Sequence, residues 1–200
     1  MASEAEKRVL EIAKSAGAIR PRDLDRHGIA RKYLNLLFHK GLLDQIDRGL
    51  YACRDSDVSA NLGLAQAAKR VPQGVICLLS ALRFHEIGTQ NPHEVWVAID
   101  FKARRPRVGY PALRIVRFSG KALTAGIEQH RIEAVPVKVY NPAKTVADCF
   151  KYRNKIGLDV AIEALRDCLQ SRKCTRAQIW QYAKVCRVTE VMRPYLEAVS

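Results

Sequence analysis

The chain has 200 residues, 48% hydrophobic and 27% charged, the balance of an ordinary globular protein and not of a disordered, fibrous or membrane-embedded one. Thirty-four Lys and Arg against twenty Asp and Glu leave a formal charge of +14 and a pI near 9.8, which points to a polyanionic partner, nucleic acid before anionic membrane. No apolar run nears the roughly 20 residues that a bilayer span needs, and the N-terminal stretch MASEAEKRVLEIAK carries acids where a signal or transit peptide would not, so a cytoplasmic location is expected.

Ser3 followed three positions later by Glu6 is a capping-box pattern, and Val9, Ile12, Ala13 and Ala16 then recur at helical spacing. This predicts a first helix over 3–16, ended by Gly17. A short extended piece, AIRPRDL, leads to a second, brief helix that Pro21 starts and Gly28 stops. A third helix is expected over about 30–40. Ala30, Leu34, Leu37 and Phe38 would share its buried face, with Tyr33 at the border and Arg31, Lys32, Asn35 and His39 opposite. Gly41 stops that helix. Leu42, Asp44 and Ile46, a DRG turn at 47–49 and Leu50, Tyr51 and Ala52 then read as strand, turn and strand.

Helix, short strand, helix, helix and hairpin in that order make a winged helix-turn-helix. In such a unit the third helix enters the major groove, where Arg and Asn suit guanine and adenine edges, while the hairpin reaches the neighbouring backbone or minor groove. The DNA-binding set expected here is Arg22, Arg31, Lys32, Tyr33, Asn35 and His39, with Arg48 at the hairpin tip as a phosphate or minor-groove contact. A solvated helix shows a similar polar face, and winged helices also serve as protein-interaction modules. Local charge helps only modestly, because residues 1–54 hold eleven Lys/Arg against seven Asp/Glu.

RDSDVSAN, 54–61, reads as a polar linker between a domain over 1–55 and a second over 56–200. A helix is expected over 59–70, broken by Pro72 and Gly74, then a short buried strand or helix start in VICLLSALRFHEIG running into a helix through Phe84. Strands are expected at 93–100 and 113–119, and at 132–141, where Pro136 suggests an edge or a bulge. Pro142 behind Asn141 launches helices at about 142–153, 158–171, 175–186 and 190–199, the third with a Thr175/Gln178 capping box. The expected class is α+β, an N-terminal winged helix-turn-helix followed by a domain with a small sheet and several helices. Between the first two strands lie Lys102, Arg104, Arg105, Arg107, Arg114, Arg117 and Lys121 without an acid among them. In one hairpin-sized region they form a second phosphate-contact candidate, with Lys102, Arg104, Arg105 and Arg107 as its DNA-binding residues; a merely solubilising loop is the bland alternative.

The six cysteines form no CxxC pair and read as small buried thiols in a reducing compartment. FHEIG at 84–88 begins like HExxH, but Thr89 stands where the second His belongs, so no metal site is expected. Glu94, Asp100 and Lys102 imitate a metal-dependent nuclease. On one strand the two carboxylates would stand about 20 Å apart at roughly 3.3 Å per residue, too far to share a metal unless Glu86 contributed. No Walker A, Rossmann, GxSxG or kinase pattern is present. Neither enzymatic activity nor a cofactor is expected.

KGLLDQIDRGLYA after the helix-turn-helix pattern, LLSALRFHEIGTQNPHEVWVAI, VYNPAKTVADCFKYRNKIGLDVAIEALRDCL and the terminal MRPYLEA together resemble the AbiEi family. These are abortive-infection antitoxins of type IV toxin-antitoxin systems that also regulate transcription. The resemblance implies repression of the protein's own operon through inverted repeats in its promoter by the N-terminal domain, and antitoxicity residing in the C-terminal one. It also implies a nucleotidyltransferase-like toxin, countered without a stable complex. Binding on DNA as a dimer or cooperatively is left open. Arg31, Lys32 and Asn35 match the recognition-helix positions, Arg48, Gly49 and Tyr51 the wing, and SAL at 80–82 and PAKTVADC at 142–149 the C-terminal pattern, in which Lys144 replaces a commoner Arg. A stand-alone winged-helix regulator without a toxin, and a nuclease targeted by the winged helix, are the alternatives.

Overall fold

The computed structural model describes residues 3–16, 19–47, 49–53, 57–106, 111–132 and 135–199, so Gly17, Arg48 and Arg107 lie outside the described residues. The chain divides into two units, residues 1–66 and 67–200.

In the first unit the capping box forms as the spacing predicts. The Ser3 N–H donates to the Glu6 carboxylate at 3.2 Å and the Glu6 N–H to the Ser3 hydroxyl at 3.3 Å, which satisfies two orphan donors at the start of α1 (Glu4–Ala16). Val9 and Ala13 are fully buried, whereas Ala16, the last residue of the helix, is exposed. Ile19 makes an antiparallel bridge to Tyr51. Pro21 opens α2 (Pro21–Asp25), and the Asp23 carboxylate accepts the Arg20 N–H at 2.8 Å.

Gly28, at φ +67°, supplies the turn into α3 (Lys32–His39). That helix starts later than its pattern suggests, since Ala30 is exposed and precedes it. It closes with the Gly41 N–H on the Phe38 carbonyl and the Leu42 N–H on that of Leu37, the paired bonds that a left-handed Gly41 at φ +70° permits. β1 (Leu43–Asp47) and β2 (Leu50–Cys53) form the antiparallel hairpin, with a register shift between Gln45 and Asp47. Val9, Ala13, Ile19, Leu24, Ile29, Leu34, Leu37, Leu43, Tyr51 and Cys53 make one core. Each buried Leu or Ile there contributes roughly 1.5–3 kcal/mol.

α4 (Asp57–Arg70) contains the division between the units, and its first turns occupy 57–61, which the polar composition assigned to a linker. Asp, Ser and Asn are tolerated in a helix start, so polarity alone did not mark a loop. β3 (Val75–Ile76) is short, and α5 (Leu78–Phe84) follows it directly. β4 (Val95–Asp100) and β5 (Leu113–Phe118) come next, then α6 (Lys121–Thr124), β6 (Ile127–Ile132) and β7 (Val135–Tyr140).

The sheet order is β5-β4-β3-β7-β6. β4 and β5 are parallel, from Val95 opposite Leu113 to Asp100 opposite Phe118, so the segment between them is a crossover and not a hairpin turn. β6 escaped the sequence analysis because IEQHRI has four consecutive polar residues and so shows no apolar alternation, as its place at the sheet edge allows. Pro136 sits on an interior strand. β3 is paired with β7 only at Val139, so Pro136 faces a partner on β6 alone and its missing N–H is tolerated.

Asn141 caps α7 (Pro142–Lys151), its side chain accepting the Lys144 N–H at 2.8 Å. Every residue from Ala143 to Phe150 is buried, which makes α7 the central helix, packed against α5, α9 and α10. α8 (Arg153–Ile156), α9 (Leu158–Gln170), α10 (Arg176–Cys186) and α11 (Thr189–Ala198) complete the unit. The α10 capping box forms between Thr175 and Gln178 as expected.

The thiol expectation is corrected at one pair. Cys168 and Cys174 are disulfide-bonded, the turn after α9 bringing their Cα atoms to 5.9 Å, while Cys53, Cys77, Cys149 and Cys186 are buried and outside any disulfide.

Candidate nucleic-acid interface

α3 is held by its inner face, where Leu34 and Leu37 are almost wholly buried. Its outer face is set by that anchoring: Lys32, Asn35, Leu36 and His39, at i, i+3, i+4 and i+7, form one exposed stripe. Three of these are expected site residues. Leu36, 41% exposed at the centre of the stripe, is an addition that a polar-face criterion could not find. Phe38 is also exposed, contrary to the expectation that it is buried; its ring meets those of His39 and Tyr51 edge-on at 5.5 and 6.2 Å. Tyr33 is half-buried, with the Lys32 ammonium 5.6 Å from its ring centre.

Arg31 is not part of that stripe. It is the residue preceding the helix, and its guanidinium Nε donates to the Asp25 carboxylate at 3.0 Å, joining the end of α2 to the start of α3. That hydrogen bond holds the Asp25 carboxyl below its ordinary range and raises Arg31. Both side chains remain exposed, so the pair is weak and salt-screened, and Arg31 can exchange a carboxylate for a phosphate. Arg22 is exposed on α2.

The hairpin touches α3 through Tyr51, whose hydroxyl donates to the Asn35 side-chain oxygen at 3.3 Å. This turns the Asn35 amide nitrogen, a donor, outward and leaves the oxygen one lone pair. Behind α3, the Lys40 ammonium donates to Glu6 at 2.7 Å and keeps that carboxyl below its ordinary value. Glu6 thereby caps α1 and ties it to the end of α3.

In the second unit the described members of the basic run from Lys102 to Lys121 do not form one patch. Lys102, Arg104 and Arg105 are exposed on the segment after β4. Arg117 on β5 points its guanidinium at the carbonyls of Phe101 and Ala103, the latter at 2.9 Å, and so pins that segment to the sheet. Arg114 lies 3.8 Å from the Glu94 carboxylate and over the Trp96 ring. Lys121 belongs to α6. Asp100 accepts the Lys102 N–H at 2.8 Å. The acids of the nuclease-like pattern are thus engaged separately, and no three metal-capable side chains converge among the described residues.

The PAKTVADC segment serves the core. Lys144 and Asp148, 0% and 1% exposed, are paired at 2.5 Å, and the Cys186 thiol donates to the second Asp148 oxygen at 3.1 Å. The Lys144 ammonium stands 4.0 Å from the Tyr140 ring centre and 4.8 Å from that of Phe118. Burial raises the Asp148 carboxyl, opposed by the charge and hydrogen bond of Lys144, and burial also raises the Cys186 thiol. Thr145 donates to the Tyr140 carbonyl. SAL at 80–82 is structural too, since the Ser80 hydroxyl accepts the Trp96 N–H at 2.9 Å and ties α5 to β4.

Residues 7–53, the segment that carries α1, α2, α3 and the hairpin, match the family model described as a transcriptional regulator, AbiEi antitoxin. The N-terminal segment is thus similar to AbiEi-type regulators, as the resemblance in the sequence implied, and residues 54–200 lie outside the match. No curated protein matches the chain. Among solved structures, the crystal structure of the RV2827C protein from Mycobacterium tuberculosis is 15% identical, with a TM-score of 0.47, over 100% of this chain and 81% of that one. Among the described residues no helix is long and apolar enough to cross a membrane.

Proposed function

We propose that the protein is a DNA-binding transcriptional repressor and type IV antitoxin, not an enzyme, that acts in the cytoplasm on the promoter of its own operon. The carrying observation is the outer stripe of α3: Lys32, Asn35, Leu36 and His39 stand exposed on a helix anchored by Leu34 and Leu37 beside a two-stranded hairpin. In a winged helix-turn-helix this stripe lies in the major groove. Lys32 and His39 meet phosphates or guanine, Asn35 presents its amide to a base edge, and Leu36 meets a thymine methyl. Arg31, released from Asp25, Arg22 and the wing residue Arg48 hold the backbone, and Lys102, Arg104, Arg105 and Arg107 add charge from the second domain.

Inverted repeats as the operator, and a nucleotidyltransferase-like toxin countered without a stable complex, complete the reading. The test is a fluorescence-anisotropy titration of the full chain against the DNA upstream of its gene, beside a shuffled duplex of equal composition, at two salt concentrations. Tighter binding to the upstream DNA that is lost in Lys32→Ala/Asn35→Ala supports direct readout. Equal, salt-sensitive binding to both duplexes refutes it.

A further inference from the structure

In the second unit a cavity of about 420 Å³ is lined by Ser119, Lys121, Lys151, Lys184 and Arg187, with Gly120, Ala122 and Val185 filling the rest of its wall. Its cations come from three elements far apart in sequence: α6, the last turn of α7 and the end of α10. All four side chains are exposed, and none of them makes a hydrogen bond or ion pair with another described residue. No carboxylate lines the wall.

Lys151 and Lys184 each have an ordinary explanation, because a cation in the last turn of a helix complements the negative end of its dipole. Two helix ends together present about one unit of negative charge. Four cations exceed that by about three, and neither Lys121 nor Arg187 is accounted for in this way. Arg187 closes α10 in the left-handed conformation, at φ +59°. Glu86 and Arg172 adopt positive φ as well, so the conformation alone marks nothing; what sets Arg187 apart is that it lines the cavity.

We propose that this cavity binds an oligophosphate group, either free or as the triphosphate of a nucleotide. Three Lys ammonium groups act as point charges, the Arg187 guanidinium offers a planar fork to two phosphate oxygens, and the Ser119 hydroxyl offers a further donor. The volume falls at the low end of small-molecule clefts, roughly 300–1,000 Å³. With no aromatic side chain on its wall, the cavity offers no platform for a base, so recognition resides in the phosphate chain. The site is independent of the DNA-binding reading of the first unit.

The experiment is calorimetric titration of the full chain with sodium tripolyphosphate, with ATP and with adenosine. Expected are saturable one-to-one binding of the first two and none of the third. ATP binding as tightly as tripolyphosphate would admit a nucleotide as the source, and weaker ATP binding would point to the free phosphate chain; both support the site. Lys184→Gln/Arg187→Gln should weaken both by at least about tenfold, as the loss of charge-assisted hydrogen bonds implies. Arg166→Gln/Arg172→Gln, which removes equal charge from exposed positions outside the cavity, should leave them unchanged.

Arg187→Gly guards against misfolding. Glycine suits the left-handed position, so this variant should melt no lower than the parent while binding tripolyphosphate several-fold more weakly. Equal weakening in the two double variants, or no saturable binding at millimolar tripolyphosphate, would overturn the proposal. So would a loss of duplex-DNA affinity in Lys184→Gln/Arg187→Gln as large as its loss of tripolyphosphate affinity.

Discussion

The two units use their charges differently. Residues 1–66 hold eleven Lys/Arg against nine Asp/Glu, and residues 67–200 hold 23 against 11. In the first unit key cations are engaged in joining helices: Arg31 to Asp25 and Lys40 to Glu6. What remains facing outward on α3 is a short mixed stripe with one full positive charge. In the second unit one ion pair is buried in the core, and cations such as Lys121, Lys151, Lys184 and Arg187 stand exposed without a side-chain partner among the described residues. On the proposed DNA-binding reading, the element that would discriminate bases sits on the nearly neutral unit, and most of the charge that would attract a polyanion sits on the other. Affinity and specificity need not come from the same residues.

The largest test of this contrast is at the buried pair. Lys144→Met strands the Asp148 carboxyl without its partner and should destabilise the second unit by about 3–5 kcal/mol in urea unfolding. Lys144→Met/Asp148→Leu should recover most of that loss; no recovery would mean that the lysine acts by packing and not by charge. Next in size is Asn35→Ala, which should lower affinity for the cognate duplex by roughly ten- to a hundredfold, about 1–3 kcal/mol, and leave random DNA nearly unaffected. Loss on both duplexes alike would remove discrimination from the first unit.

Replacing Arg104, Arg105 and Arg107 together by Ala should leave the preference for the cognate site intact while flattening the salt slope by up to about 2.7, from roughly 0.9 per phosphate contact. An unchanged slope would take the second unit's loop out of DNA binding.

The smallest effect lies at Glu6. Its carboxyl is held below the ordinary 4.5 by the Lys40 ammonium, so its contribution is present above that value and fades as pH falls through the lowered one. Lys40→Met should make the acid-side stability profile of the first unit shallower; identical profiles would show that the Lys40 bond adds nothing in solution.

Much of the architecture was legible because periodicity reports faces. Val9 and Ala13, Leu34 and Leu37, and the alternation through the hairpin fixed three helices and two strands of the first unit, and Asn141-Pro142 and Thr175 marked helix starts in the second. Partners were not legible. Nothing local tells β4 and β5 to pair in parallel, or Arg31 to face Asp25 six residues back, or Cys168 to meet Cys174 around the end of α9. Leu36 and Phe38 show the same limit from the other side. An apolar residue looks buried until the neighbouring elements fail to cover it, and here they leave an apolar centre on a polar stripe. The cavity over α6, α7 and α10 was invisible for a related reason, since its cations are spread from Lys121 to Arg187 and only the fold collects them.

The strand order β5-β4-β3-β7-β6 also sets a timetable. Ile76 finds its parallel partner only at Val139, whereas the first unit's core lies between Val9 and Cys53. A ribosome delivers residues at roughly 5–20 per second. The N-terminal segment is thus complete several seconds before the central sheet has all its strands, and closing that sheet carries the entropy of a long loop. During that interval a nascent chain presents a finished N-terminal unit ahead of an unfinished, strongly cationic remainder.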